Sequence, residues 1–178
     1  MLTRRAVFSL LMAPLAPLQV RLPQPGVRYV PTPQNVVEAM LEMARVTSSD
    51  IVYDLGSGDG RFPITAAVKY GARGVGIEID TFVLRDAEDN VKKAGVADRV
   101  RFVNADLFEA DFSAATVVTL FLLPQMLDRL RPKLVRDLAP GARIVSHQYH
   151  FGDRYPAEKT QDVNGAAIYL WTIGQSLK

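Results

Sequence analysis

A glycine-rich segment that follows a short apolar run constrains the fold of this chain more than any other feature. The apolar run is Ile51–Leu55, and Gly56, Gly58 and Gly60 follow it before a helical pattern begins at about Arg61. Short apolar runs of this kind are typical of strands buried in a parallel sheet. Glycine lets the chain turn tightly and lets a ligand approach the backbone. In open α/β sheets ligands bind beyond the carboxyl ends of the strands, so the sequence predicts a ligand site at this loop.

Helical and strand patterns alternate along the rest of the chain, as in a doubly wound α/β domain. The first helix is predicted to have Thr32 as its N-cap and Pro33 as its first residue. Further helices are predicted at 61–70, 81–94 and 124–138. Strands are predicted at 51–55, 75–79, 100–103, 116–121 and 143–147. Tyr149–Phe151 and Ala167–Ile173 are expected to form a closing antiparallel pair.

Composition limits the chemistry that the chain can perform. Its 178 residues suit one domain. It has no cysteine, which excludes disulfides and a cysteine nucleophile, and only two histidines, so we expect no metal site. The net charge is +2, but Arg4, Arg5, Arg21 and Arg28 precede residue 30, and the remaining 17 basic residues face 19 acidic ones. A nucleic-acid partner, which calls for a basic face, is therefore not expected.

The residues around the glycine loop distinguish between two nucleotide cofactors. Glu78 lies 20 residues beyond Gly58, where an acid can accept the hydroxyls of a ribose. The dinucleotide pattern G-x-G-x-x-G is broken, because counting from Gly56 places Arg61 at its last position. Asp54 would repel a pyrophosphate but suits a cation, and S-adenosylmethionine (SAM) carries a sulfonium and an ammonium. The residues therefore favour SAM over NAD; the alternative is a plain glycine turn with Asp54 as a helix N-cap.

Six segments resemble one family of enzymes. They are Tyr29–Pro33, Val36–Glu42, Asp50–Arg61, Thr116–Leu123, Pro132–Leu134 and Arg143–His147. Over about residues 28–174 the chain resembles the small archaeal broad-specificity protein-lysine methyltransferases. It is more distantly similar to the mitochondrial lysine methyltransferases that modify ATP synthase and the adenine nucleotide translocase. Pro63 departs from the aliphatic residue usual there, in a first helical turn where proline is tolerated.

The resemblance implies a Rossmann-like seven-strand class I methyltransferase that moves a methyl group from SAM to the ε-amine of lysine in a protein. The sheet is expected to be mostly parallel, with an antiparallel closing strand. Asp106 follows the third strand and is expected to accept the adenine amino group, although a solvated turn acid is the alternative. The cofactor is expected to be bound by Tyr29, Thr32, Asp54, Gly56, Ser57, Gly58, Glu78, Ile79, Asn104, Asp106 and Phe121.

The acceptor side is expected to need no catalytic base, because a neutral amine attacks the methyl group directly and water takes the proton. Tyr29, Phe121, His147 and Tyr149 are candidates to line the lysine channel, with ordinary packing as the alternative for each. The open alternatives for the function are a small-molecule methyltransferase and a SAM-binding protein without turnover. The partners expected are proteins with an accessible lysine, and the chain is expected to be a monomer.

The N-terminus is expected to form a separate segment. Residues 1–20 carry two arginines before an apolar run that is too short to span a membrane, as in a signal-like or membrane-targeting segment. A proline-rich linker at 21–31 then leads to the methyltransferase domain at 32–178. Because SAM is made in the cytoplasm, the cytoplasmic side with peripheral membrane association is the favoured location, and export directed by the signal-like N-terminus is the alternative.

Overall fold

A seven-stranded sheet with helices on both faces forms the body of the protein. The computed structural model describes residues 30–178, so the predicted targeting segment, the linker up to residue 29 and Tyr29 lie outside the described residues. The helices are α1 (Gln34–Met43), α2 (Arg61–Tyr70), α3 (Thr81–Ala94) and α4 (Pro124–Asp137). The strands are β1 (Ile51–Leu55), β2 (Arg73–Glu78), β3 (Val100–Asn104), β4 (Val117–Leu120), β5 (Arg143–His147), β6 (Lys159–Val163) and β7 (Ala166–Thr172).

The strand order is β3-β2-β1-β4-β5-β7-β6, and β7 is the strand that runs antiparallel to its neighbours. The pairs from β3 to β5 are all parallel, so the carboxyl ends of β1 to β5 meet at one edge of the sheet. This confirms the predicted mostly parallel sheet with an antiparallel closing strand.

The alternation of side chains along β1 separates two layers of core. Val52 packs with α1 and α2 on one face, whereas Tyr53 and Leu55 pack with α4 on the other. The stripe Leu127, Leu130 and Leu134 of α4 is completely buried, as are Val37 and Met40 of α1. Among residues 30–178 no helix combines the length and the apolar character needed to cross a membrane.

Two local predictions were wrong. The first helix begins at Gln34 with Pro33 as its N-cap, one residue later than predicted, because the Pro33 carbonyl accepts the first helical hydrogen bonds. Tyr149–Phe151 is not a strand, because Gln148 has a φ of 66° and turns the chain away from β5.

The partner of β7 is instead β6, an edge strand that is almost wholly exposed and so has no apolar alternation. Asn164 and Gly165, with φ of 55° and 87°, form the turn between the two strands. An Asn-Gly pair is a strong hairpin signal, so the turn predicts the hairpin that the hydrophobic pattern misses.

Pro63 has a packing partner that accounts for its unusual position. A Cβ added to Gly74 of β2 would lie 2.6 Å from the Pro63 Cβ and 2.8 Å from its Cα. Helix α2 therefore approaches β2 closely at this point, and the absence of a side chain at Gly74 leaves the space that Pro63 occupies.

A polar network joins the amino ends of β1, β4 and β5. Asp50 accepts hydrogen bonds from the Thr116 hydroxyl at 2.7 Å and from the Thr47 amide at 2.8 Å, and it pairs with the guanidinium of Arg143. Burial alone would raise the pKa of Asp50, but the hydrogen bonds from Thr116 and Thr47 and the charge of Arg143 outweigh it and lower the pKa below its ordinary value. The ionised carboxylate therefore stabilises the folded state.

Replacing Asp50 with Asn should lower the free energy of unfolding at neutral pH by about 1–3 kcal/mol, because Arg143 loses its charged partner. This difference in unfolding free energy should shrink below about pH 4. There Asp50 becomes protonated in the unfolded wild type at a higher pH than in the folded wild type, and the wild type loses stability. Denaturant unfolding at several pH values measures the difference. Asp86→Asn on the exposed face of α3 is the control. If the unfolding free energies of wild type and Asp50→Asn differed by a constant amount from pH 7 to pH 3, the pKa of Asp50 would not be lowered in the fold.

Candidate active site

The chemically active side chains predicted from the sequence lie at the carboxyl edge of the sheet. Parallel register places Asp54 of β1 beside Gly76 of β2 and Thr119 of β4, and it pairs Glu78 with Asn104. With His147 at the end of β5, five neighbouring strand ends contribute residues to one edge. Of the predicted set, the structure describes Thr32, Asp54, Gly56, Ser57, Gly58, Glu78, Ile79, Asn104, Asp106, Phe121, His147 and Tyr149.

The loop between β1 and α2 is built on left-handed glycines. Gly56, Gly58 and Gly60 have φ of 84°, 53° and 81°, which side chains with a Cβ adopt only with strain. The amides of Gly56 and Ser57 both donate to the Ile77 carbonyl, at 2.9 and 3.0 Å. The loop is thereby tied to the end of the neighbouring strand.

Glu78 is held at the mouth of this loop by backbone amides. Its Oε2 accepts from the Gly58 amide, and its Oε1 accepts from the amides of Ile79 and Asp80, each at 2.9 Å. A carboxylate offers about four acceptor positions, so these bonds fix its direction and leave capacity for a ligand hydroxyl.

The neighbouring turn presents an apolar surface beside this acid. Asn104 Nδ2 donates to the carbonyls of Glu78 and Ile79, at 3.0 Å each, and so braces the turn after β2. The Ile79 side chain is 67% exposed, although it is aliphatic. Asp106 accepts from the Phe108 amide at 2.9 Å through Oδ1 and is otherwise exposed. An apolar surface flanked by an exposed carboxylate suits a flat ring that carries an amino group.

Asp54 lies at the end of β1 and is only 3% exposed. Its Oδ1 accepts a hydrogen bond of 2.7 Å from the Thr119 hydroxyl. Burial raises the pKa of Asp54 to about 8; the bond from Thr119 opposes the rise, and the carboxylate of Glu78 adds to it. A cation bound nearby would favour the ionised form. Thr119 was missed in the sequence, although a threonine inside an apolar strand, β4, was a usable signal.

An aromatic group lies at the ends of β4 and β5. The rings of Phe121 and His147 have centroids 4.1 Å apart, and the Tyr149 ring stacks on Phe121 at 6.4 Å. His147 is 5% exposed, and burial lowers its pKa below the ordinary value, so the imidazole is neutral at neutral pH. We call Phe121, His147 and Tyr149 the aromatic wall.

The segment before α1 crosses the same edge. Thr32 is 3% exposed; its hydroxyl lies 3.1 Å from His147 Nδ1, and its carbonyl accepts from Arg61 Nη1 at 2.5 Å. Arg61 also pairs with Asp59 of the glycine loop at 2.6 Å. These contacts bring Thr32 next to both the loop and the aromatic wall, and the Arg61 contact had no signal in the sequence.

This edge fits a nucleoside that carries positive charge. The glycine loop offers close backbone approach, Glu78 has acceptor capacity left for a hydroxyl, and Asp54 provides a carboxyl group that a cation would ionise. Within residues 30–178, no group of three or more His, Asp or Glu side chains is placed to hold a metal ion.

Comparisons with known proteins agree with this geometry. Residues 54–158 match the family model described as the ANTKMT methyltransferase domain. The chain is 47% identical over 155 residues to a protein-lysine N-methyltransferase of Saccharolobus islandicus (strain REY15A), a match that covers 85% of this chain and 96% of that protein. It is 35% identical over 128 residues to a lysine N-methyltransferase of ATP synthase from Xenopus laevis, covering 72% of this chain and 56% of that longer protein.

A solved structure is similar to the fold as a whole. It is described as an RNA methyltransferase from Salinibacter ruber in complex with S-adenosyl-L-homocysteine, and it superposes with a TM-score of 0.80. The two sequences are 54% identical, over 82% of this chain and 95% of that one. This structural neighbour therefore binds S-adenosyl-L-homocysteine, the form of SAM that has lost its methyl group.

The burial of Asp54 should make the ligand-free protein less stable as the pH rises. The unfolded chain loses this proton near pH 3.9, whereas the folded protein keeps it to about pH 8. The folded state therefore binds more protons between these values, and its stability falls as pH increases. Asp54→Asn keeps the bond from Thr119 without an ionisable group, so its stability relative to wild type should rise by up to about 1.4 kcal/mol per pH unit.

Denaturant unfolding of both ligand-free proteins between pH 5 and 7.5 measures this trend. Asp128→Asn, at an exposed position of α4, serves as the matched control and should follow wild type. An Asp54→Asn protein whose stability runs parallel to wild type over this range would show that Asp54 ionises normally in the fold.

Proposed function

This chain belongs to the ANTKMT methyltransferase domain family and uses SAM as its methyl donor, and we propose that it methylates the ε-amino group of lysine in proteins. The observation that carries the proposal is the acceptor side of the site. The aromatic wall is formed by Phe121, a neutral His147 and Tyr149, next to the end of β4. The relatives from Saccharolobus islandicus and Xenopus laevis, both named as lysine methyltransferases, support the same substrate class.

We assign the cofactor to the loop side of the same edge. Glu78 would accept a ribose hydroxyl, and the exposed Ile79 would pack against the adenine, with Asp106 accepting its amino group. The glycine loop would contact the cofactor through its backbone, and the positive charges of the cofactor would favour the ionised form of Asp54. SAM supplies an electrophilic methyl group on a sulfonium.

The chain's part in the reaction is to bind a neutral amine in line with that methyl group. The lysine nitrogen forms a bond to the methyl carbon as the carbon–sulfur bond breaks, and S-adenosylhomocysteine leaves. A free lysine has a pKa of about 10.4, so about one molecule in a thousand is neutral near pH 7.4. A dry aromatic surface lowers that pKa, alignment of the reacting atoms supplies much of the remaining rate, and water takes the proton. No side chain is assigned as a base.

RNA is the second candidate substrate, because the structure from Salinibacter ruber carries that description. Charge disfavours it here. Beyond residue 29 the chain has 17 basic and 19 acidic residues, whereas phosphate backbones are bound by clusters of Lys and Arg. The peripheral membrane association expected for residues 1–20 and the monomeric state stay predictions.

Labelling of a whole extract tests the substrate class. The purified full-length chain is incubated with tritiated SAM and a soluble extract of the expression host, and the product is divided between protease and ribonuclease treatment. We expect the label to be released by protease, and mass spectrometry to locate it on lysine. Label released by ribonuclease, label in small molecules only, or SAM binding without any label would each overturn the proposal.

Removing the carboxylate of Glu78 tests the cofactor assignment. Glu78→Ala should weaken SAM binding by roughly 5- to 150-fold, because the loss of a partner for a buried polar group costs about 1–3 kcal/mol. Calorimetry measures the affinity, and circular dichroism confirms that the fold persists. Glu88→Ala, on the exposed side of α3, should bind SAM as wild type does. Unchanged SAM affinity in the Glu78 variant would show that Glu78 does not bind the ribose.

A further inference from the structure

Thr32 is a buried residue whose hydroxyl and carbonyl both contact other parts of the active edge. Its hydroxyl lies 3.1 Å from His147 Nδ1, and its carbonyl accepts from Arg61 Nη1 at 2.5 Å. These partners lie 115 and 29 residues away along the chain. Thr32 is followed by Pro33, which caps α1, so its backbone is also anchored to a helix packed on the sheet.

The two contacts connect the two sides of the site. Arg61 is the first residue of α2 and is paired with Asp59 inside the glycine loop, so it belongs to the cofactor side. His147 is the last residue of β5 and lies against Phe121, so it belongs to the acceptor side. Thr32 is therefore the residue that links the loop to the aromatic wall.

The imidazole of His147 depends on this link for its orientation. Within residues 30–178 its ring nitrogens have one hydrogen-bond partner, the Thr32 hydroxyl. The hydroxyl can donate to Nδ1 or accept from Nδ1–H, so this bond fixes how the ring is turned whichever tautomer is present. Without it, the ring would be held against Phe121 by packing alone.

We propose that Thr32 is a positioning residue of methyl transfer, whose hydroxyl fixes the His147 ring in the aromatic wall beside the cofactor loop. It acts through His147 and does not touch the reacting atoms, and its hydroxyl, expected from the sequence to bind the cofactor, is engaged by the imidazole instead. The orientation of the wall then determines how the acceptor amine is aligned with the methyl group. A misplacement of about 1 Å at a reacting centre can cost a hundredfold in rate, so one hydrogen bond in the supporting structure has a measurable effect.

Nitrogen NMR of the histidines tests the first half of the proposal. The chain has two histidines, His147 and His150, so the imidazole spectrum is simple to assign. In the full-length wild type, the Nδ1 shift of His147 should be that of a hydrogen-bonded nitrogen. Thr32→Val, which keeps the shape of the side chain but lacks the hydroxyl, should change that shift and leave the shifts of His150 unchanged. Thr32→Ser should restore the wild-type shift, and identical His147 shifts in wild type and the Val variant would overturn the proposal.

Kinetics test the second half, which rests on the proposed lysine methylation. With saturating SAM and the soluble host extract as acceptor, Thr32→Val should lower the maximal rate about tenfold or more, while the SAM dissociation constant changes less than about threefold. Thr32→Ser should recover most of the rate. Thr160→Val, on the exposed edge strand β6, is the matched control.

The possible outcomes separate the two proposals. A full maximal rate in Thr32→Val, or a rate loss that Thr32→Ser does not restore, would refute the positioning role. A loss of SAM affinity equal to the loss of rate would also refute it, because it would place Thr32 on the cofactor side alone. A wild-type protein that labels no protein in the extract would count against lysine methylation, whereas the NMR comparison still decides whether Thr32 orients His147.

Discussion

The hydrogen bonds that tie the loop after β1 to the end of β2 determine the geometry of the whole active edge. The amides of Gly56 and Ser57 both donate to the Ile77 carbonyl. The amide of the following residue, Gly58, donates to the Glu78 carboxylate. The acid that would receive the ribose is therefore also the acid that holds the loop. The left-handed glycines make this turn possible without strain. Because loop and acid support each other, both are held in place by contacts within the chain.

Two buried aspartates at opposite ends of β1 show how stability and function are separated in this fold. Asp50 has a cation and three hydrogen bonds from Thr47 and Thr116, and its pKa is lowered, so its charge stabilises the protein. Asp54 has one hydroxyl partner, Thr119, and burial raises its pKa to about 8. A buried carboxyl with so few partners is destabilising when ionised. A positively charged ligand, as proposed for this edge, would stabilise the ionised carboxyl group of Asp54.

Much of the fold could be predicted from the sequence, since β1, α2, α3 and β5 have the bounds that their patterns indicate. These elements are buried on at least one face and follow clear turn or cap residues. Strand β6 has no such pattern, because an exposed edge strand is stabilised by backbone bonds to β7 rather than by apolar side chains. The same reason limits the site. Glu78 and Asn104 follow predicted strands, whereas the contact between Thr32 and His147 joins residues 115 positions apart and exists only after the sheet has formed.

Direct methyl transfer to a neutral amine does not require an acid–base group in the site. Desolvation lowers the pKa of the lysine ammonium group. Water can then take its proton, and a general base is not needed for this step. The proposed acceptor side of this edge consists of rings, one of them an imidazole kept neutral by burial. Neutral rings do not hold a lysine in its protonated form as a carboxylate would. The rate is then governed by how firmly the rings are held, and for His147 that depends on a threonine located before the first helix.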